Sequence, residues 1–147
     1  MVGIGVYGRT DDSFVNELRL MKIRTVIDVR LFRGMRGPKY RWANSNSLQQ
    51  LLTSVGIGYE HRKELAPPKE LREIQKKADA LSQTSKGARQ VLHPDFVRAY
   101  GAVVQPLLTA DYLNSLPRDA AFLCAESSDE ACHRSVLLRL ISERRSA

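Results

Sequence analysis

Four short apolar runs separated by stretches of helical periodicity constrain this chain more than any other feature. Val2–Tyr7 alternates glycine with Ile4, Val6 and Tyr7; Thr25–Val29 is β-branched; Ile57–Glu60 is a third run, and Ala120–Ala125 is the most apolar. Between them, apolar residues recur every three to four positions. Phe14, Leu18 and Met21 share one face after Asp11 or Asp12, which can cap that helix. Leu48, Leu51, Leu52 and Val55 share another after Asn46 or Ser47, and Gly56 stops it. Leu71, Ile74, Ala78 and Leu81 follow Pro67–Pro68, and Phe96, Tyr100, Val103 and Leu107 follow Pro94–Asp95, with Pro106 expected to bend the helix. A last helix is expected from about Asp129 to Arg144, with Ser127 and Glu130 in capping-box spacing. A βαβαβ-αα-βα order with crossovers this long demands a mostly parallel four-stranded sheet with helices on both faces, a Rossmann-like or flavodoxin-like three-layer α/β fold.

The 147 residues are 43% apolar and 27% charged, and read as one domain spanning 1–147. No apolar run is long enough to span a bilayer, and the first residues lack the pattern of a secretory signal. Cys124 and Cys132 are the two cysteines, too few for a disulfide framework, so a reduced cytoplasmic setting is expected. The net charge is +7, and it is clustered: Arg30, Arg33, Arg36, Lys39 and Arg41 fall in one stretch without an acid. Arg62–Lys63 and Lys86–Arg89 add two smaller groups, and the polar Ser82–Gln90 stretch reads as a loop. A basic run is commonly a solvated face, but this density favours an anionic partner, a nucleotide or nucleic acid, over a neutral one. No membrane partner is expected.

In a parallel sheet, ligands bind beyond the carboxyl ends of the strands. Those ends carry Tyr7–Thr10, Asp28–Arg30, Glu60–Arg62 and Cys124–Glu126. The C-terminal segment adds Cys132, His133 and Arg134. On a continuous helix Cys132 and His133 extend the stripe of Val136, Leu137, Leu140 and Ile141, placing them inward and Arg134 at its rim. A thiol, a carboxylate, an imidazole and a guanidinium thus meet at one place. His133 and Glu126 can act as an acid/base pair, Arg134 can hold a phosphate or carboxylate with two prongs, and Cys124 or Cys132 is the candidate nucleophile. The alternative is that both cysteines are small buried apolar groups. Known spacings do not match: Cys124 and Arg134 stand ten residues apart and Cys132 and Arg134 two, neither suiting a phosphatase loop. A closed structural zinc site is not expected either, because neighbours on a helix diverge by about 100°.

Tyr7-Gly8-Arg9-Thr10, Asp28-Val29-Arg30, Tyr59-Glu60-His61, Cys124-Ala125-Glu126 and Cys132-His133-Arg134 occur in that order, and the chain resembles the bacterial and archaeal family called domain of unknown function 488. The resemblance covers nearly the whole chain and implies a compact α/β domain without a settled activity. In the first motif a histidine or asparagine often follows the glycine, where this chain has Arg9.

Two further readings remain. Gly3-Ile4-Gly5-Val6-Tyr7-Gly8 has the dinucleotide spacing, but its glycines alternate within a strand instead of following one, so no nicotinamide cofactor is expected. The loop from Arg30 to Asn46 is long, hinged by Gly34, Gly37 and Pro38, and interleaves Tyr40 and Trp42 with Lys39 and Arg41. It reads as a lid or nucleic-acid contact, unless burial of the two rings pins it to the body. Asp28–Arg30 can equally be a self-contained pair. His61 belongs to the candidate pocket, whereas His93 is expected only to mark a helix entrance. The functional expectation is an enzyme acting on a phosphate-bearing substrate through Cys124, Glu126, Cys132 and His133. Its anion-binding residues are Tyr7, Arg9, Asp28, Arg30, Arg33, Arg36, Lys39, Arg41, His61 and Arg134, with no cofactor or metal. The alternatives are a nucleic-acid-binding module built on the 30–62 surface, and a metal or redox sensor.

Overall fold

The computed structural model describes residues 1–83, 91–126 and 132–147. The expected cap at Ser127 and Glu130, the helix start near Asp129 and the Lys86–Arg89 group lie outside the described residues. Strands β1 (Val2–Ile4), β2 (Thr25–Asp28), β3 (Gly58–His61) and β4 (Ala120–Leu123) form one sheet in the order β1-β4-β2-β3, and every pairing is parallel. Strands β1, β2 and β4 are shorter than their apolar runs, and β3 lies one residue further along than its run. Beyond the regular ladder, backbone bonds continue where the chain turns toward the site: Val6 and Tyr7 N–H both donate to Ala125 O, and Val29 N–H donates to Leu123 O.

Side chains that alternate along the strands feed two separate cores, as the period of two requires. Val26, Ala121 and Leu123 pack with Phe14 and Leu18 of α1 (Asp11–Leu20) and Leu48 and Leu52 of α2 (Ser45–Ser54). Ile27, Ala120 and Phe122 pack on the opposite face. There they meet Tyr100 and Val104 of α4 (Pro94–Val104), Leu113 of α5 (Ala110–Ser115) and Leu137 of α6 (His133–Ser146). Each such buried apolar side chain contributes about 1.5–3 kcal/mol relative to exposure. Burial on both faces is why the two central strands, β2 and β4, read as continuous apolar runs.

Local details differ from the sequence reading where side chains competed for the caps. Thr10, not Asp11 or Asp12, caps α1, exchanging hydrogen bonds with Ser13 in a capping box. Asn44, not Asn46 or Ser47, opens α2, and Gly56 at φ +73° ends it in the left-handed region that glycine tolerates. Helix α4 stops at Val104 before a tight turn containing Pro106, so Val104 and Leu108 take the buried places expected of Val103 and Leu107. Helix α5 had no clear apolar period. Helix α3 (Lys69–Leu81) turns a polar pair inward: Gln75 and Asp79 are buried, and Leu81 is exposed. The final helix begins at His133, with Cys132 as an extended N-cap residue. Among the described residues no helix is long and apolar enough to cross a membrane.

Candidate functional site

The polypeptide beyond β4 stays buried: Cys124, Ala125 and Glu126 are each at most 5% exposed. Together with the ends of β1 and β2, it forms the floor of a cleft of about 830 Å³ at the carboxyl edge of the sheet. Cys124, Glu126 and His133 line the floor, with Tyr7 and Arg30 beside them. The loop after β2 contributes Phe32 and Arg36, and α3 contributes Lys69, Arg72, Lys76 and the buried Gln75–Asp79 pair. Gln75 Nε2 donates to Asp79 Oδ1 at 2.7 Å, and His93 N–H donates to Gln75 Oε1 at 2.8 Å. Helix α3 was the wall that sequence reasoning missed. Its signal was the i,i+4 Gln–Asp spacing beside the apolar stripe.

The conformation of Cys132 sets the chemistry of the floor. At φ −134° and ψ 154° it is extended, so it and His133 do not diverge as helical neighbours would. Instead Cys132 Sγ lies 3.4 Å from His133 Nδ1 and Cys124 Sγ lies 3.9 Å from it. The premise that argued against ligand convergence here is therefore overturned. His133 Nε2 stands 3.0 Å from Val29 O. A carbonyl can only accept, so Nε2 carries a proton, and in the neutral imidazole Nδ1 presents a lone pair to both thiols. Tyr100 meets the imidazole edge-on at 5.2 Å between centroids, and its hydroxyl donates to Leu65 O at 2.5 Å. Burial, reinforced by the neighbouring cysteines, holds that hydroxyl protonated well beyond its ordinary range. Burial likewise pushes the Cys132 thiol well up, with Cys124 adding to the shift. Cys132 is a neutral thiol at neutral pH and no ready nucleophile.

The predicted residues divide clearly by position. Tyr7, Arg30, Arg36, Cys124, Glu126 and His133 line the cleft, and Cys132 closes the thiol cluster behind them. Arg134 is not at the rim: it is fully buried, and Nη2 donates to Glu126 O at 2.5 Å, bracing the loop that carries Glu126. Asp28 and Arg30 form a two-pronged ion pair, with Nε–Oδ1 at 2.9 Å and Nη2–Oδ2 at 2.8 Å. Arg30 Nη1 also donates to Ala43 O, and Tyr59 OH donates to Asp28 Oδ2. Against burial, which lowers it, the carboxylate raises the Arg30 pKa overall. His61 Nε2 contacts Arg30 O at 2.9 Å, and Arg33 reaches Tyr59. Arg9, Lys39 and Arg41 stand outside the cleft lining.

The loop after β2 is tied down. Gly8 N–H donates to Tyr40 OH, Trp42 packs on Phe14 at 5.0 Å between centroids, and Met35 N–H donates to Asn44 Oδ1. The two rings are thus occupied by the body of the protein and do not stand free as stacking platforms. Arg62 is held too, by Glu60 and Ser115. His93 caps α4, its Nδ1 accepting from Asp95 N–H.

The family profile described as "Domain of unknown function DUF488" matches residues 10–141, which spans both cleft walls and the thiol cluster. The chain belongs to the DUF488 family. No curated protein and no solved structure matches it. In this DUF488 member, motifs scattered over the chain, from Asp28-Val29-Arg30 to Cys132-His133-Arg134, converge at one edge of the sheet. His133 bonds the backbone of Val29, and Arg134 that of Glu126.

Proposed function

We propose that this protein is an enzyme acting on a small phosphate-bearing substrate of about nucleotide size. The observation that carries the reading is the cleft: its volume of about 830 Å³ suits a small molecule, and its walls and floor differ in chemistry. Arg36, Lys69, Arg72 and Lys76 supply cations at the walls beside the acidic Glu73 and Asp79, and Cys124, Glu126 and His133 supply reactive groups on the floor. A phosphate seated on the walls would carry the rest of the molecule toward the floor. His133, with Nε2–H committed to Val29, serves the thiols through Nδ1, so Glu126 is the group left to move a proton on the substrate. Arg30 and Arg134, each engaged within the protein, support the site and are not the phosphate clamp. The net charge of +7 would draw the anion in.

Thermal shift with inorganic phosphate, a nucleotide panel, phosphosugars and a single-stranded oligonucleotide tests this. A phosphorylated small molecule should stabilise the protein, less so at high salt, and the Arg72→Ala, Lys76→Ala double variant should lose the effect. Stabilisation by dephosphorylated compounds alone would overturn the reading. Oligonucleotide binding that survives the cleft variant and fails in Lys39→Ala, Arg41→Ala would favour a non-catalytic nucleic-acid-binding module instead.

A further inference from the structure

We propose that Cys124, Cys132 and His133 form a three-ligand site for a divalent thiophilic metal ion of the zinc class, with one coordination position open to the cleft. Among the described residues these three place their ligand atoms within 4.8 Å of one another, and all three are buried. Tetrahedral coordination with metal–sulfur bonds of about 2.3 Å and a metal–nitrogen bond of about 2.0 Å requires S···N separations of about 3.5 Å. The two observed separations, 3.4 and 3.9 Å, lie on either side of that value. The ion needs only small side-chain adjustments.

The imidazole is already set for the task. Its Nε2–H bond to Val29 O holds the ring and leaves Nδ1 as the ligating atom, the outer-sphere arrangement that metal-binding histidines use. Charge balances as well. On binding, each thiol releases its proton to solvent and forms a metal–sulfur bond, while Nδ1 donates its lone pair without losing a proton. Two thiolates cancel the ion's charge, so the buried centre gains none overall. Soft sulfur donors select zinc-class ions over magnesium or calcium, which take oxygen.

Position decides what the site can do. Cys124 and His133 line the cleft, and Cys132 lies behind them, so the fourth position points toward the substrate space. Three protein ligands plus an open position is the arrangement of a catalytic centre, whereas structural sites are closed. Glu126 lines the same cleft and is not one of the three ligands.

The inference goes beyond the anion-binding reading and does not require it, since the metal binds with the cleft empty. The test is anaerobic titration of the reduced, metal-stripped full chain with cobalt(II). We expect one ion per chain, a near-ultraviolet thiolate-to-cobalt charge-transfer band, and strong visible bands of tetrahedral cobalt. Zinc should abolish both. Cys124→Ser and Cys132→Ser should each lose about half of the charge-transfer intensity, and Arg72→Ala, Lys76→Ala should keep all of it. A reduced wild-type chain that is folded by circular dichroism and shows no charge-transfer band would overturn the proposal. So would a band that keeps its full intensity in both serine variants.

Discussion

Asp28 and Arg30 meet through two parallel hydrogen bonds with their side chains at most 3% exposed, and Arg30 spends its third nitrogen on Ala43 O. The pair ties the end of β2 to the turn that precedes α2. Removing one member leaves a buried charge uncompensated. Asp28→Ala should therefore destabilise the protein by about 3–5 kcal/mol, measured by urea unfolding. Asp28→Ala combined with Arg30→Met should cost less than the two single changes added together. Strict additivity in that double-mutant cycle would show that the pair is not coupled.

Helix α3 brings Lys69, Arg72 and Lys76 to the cleft wall, with the Arg72 guanidinium 5.4 Å from the centre of the Phe32 ring. If they seat a phosphate, Arg72→Ala should weaken binding of the stabilising phosphorylated ligand by roughly ten- to a hundredfold, the loss of one charge-assisted hydrogen bond. Arg9→Ala, outside the cleft lining, should change it little. Isothermal titration calorimetry at two salt concentrations reads both.

The two cysteines should differ in reactivity. In metal-free, reduced protein at neutral pH, iodoacetamide should modify Cys124, which lines the cleft, before Cys132, which is fully buried with its thiol pushed up by burial. Peptide mass spectrometry over time gives the order. Equal rates without unfolding would contradict the depth assigned to Cys132.

Alkaline stability should depend on Tyr112. Burial and its hydrogen bond to Glu64 raise its pKa from 10.0 to about 12 in the folded protein. Between those values the unfolded chain releases the proton first and the folded chain retains it. Stability is thus fully present below pH 10 and falls as pH rises toward 12. Tyr112→Phe should fall less steeply across that window in chemical unfolding at successive pH values. An unchanged slope would remove Tyr112 as a cause.

The order of strands and helices was legible in the sequence because periodicity is local: β-branched runs and three-to-four-residue spacing report burial of one face or two without knowledge of the partner. Long crossovers then left a parallel sheet as the outcome, and the strand ends pointed to the place of the cleft. The grouping of Cys124, Glu126, Cys132 and His133 at that edge was legible too. Tertiary structure alone decided the rest. The neighbour order β1-β4-β2-β3 depends on contacts between distant segments. The inward polar face of α3 depends on what it packs against, and the full burial of Arg134 on a carbonyl eight residues away. Whether Cys132 and His133 converge or diverge turned on the backbone angles of one residue. Helical phase puts the two side chains about 100° apart. The extended Cys132 instead brings both onto one point with Cys124, because the helix starts one residue later.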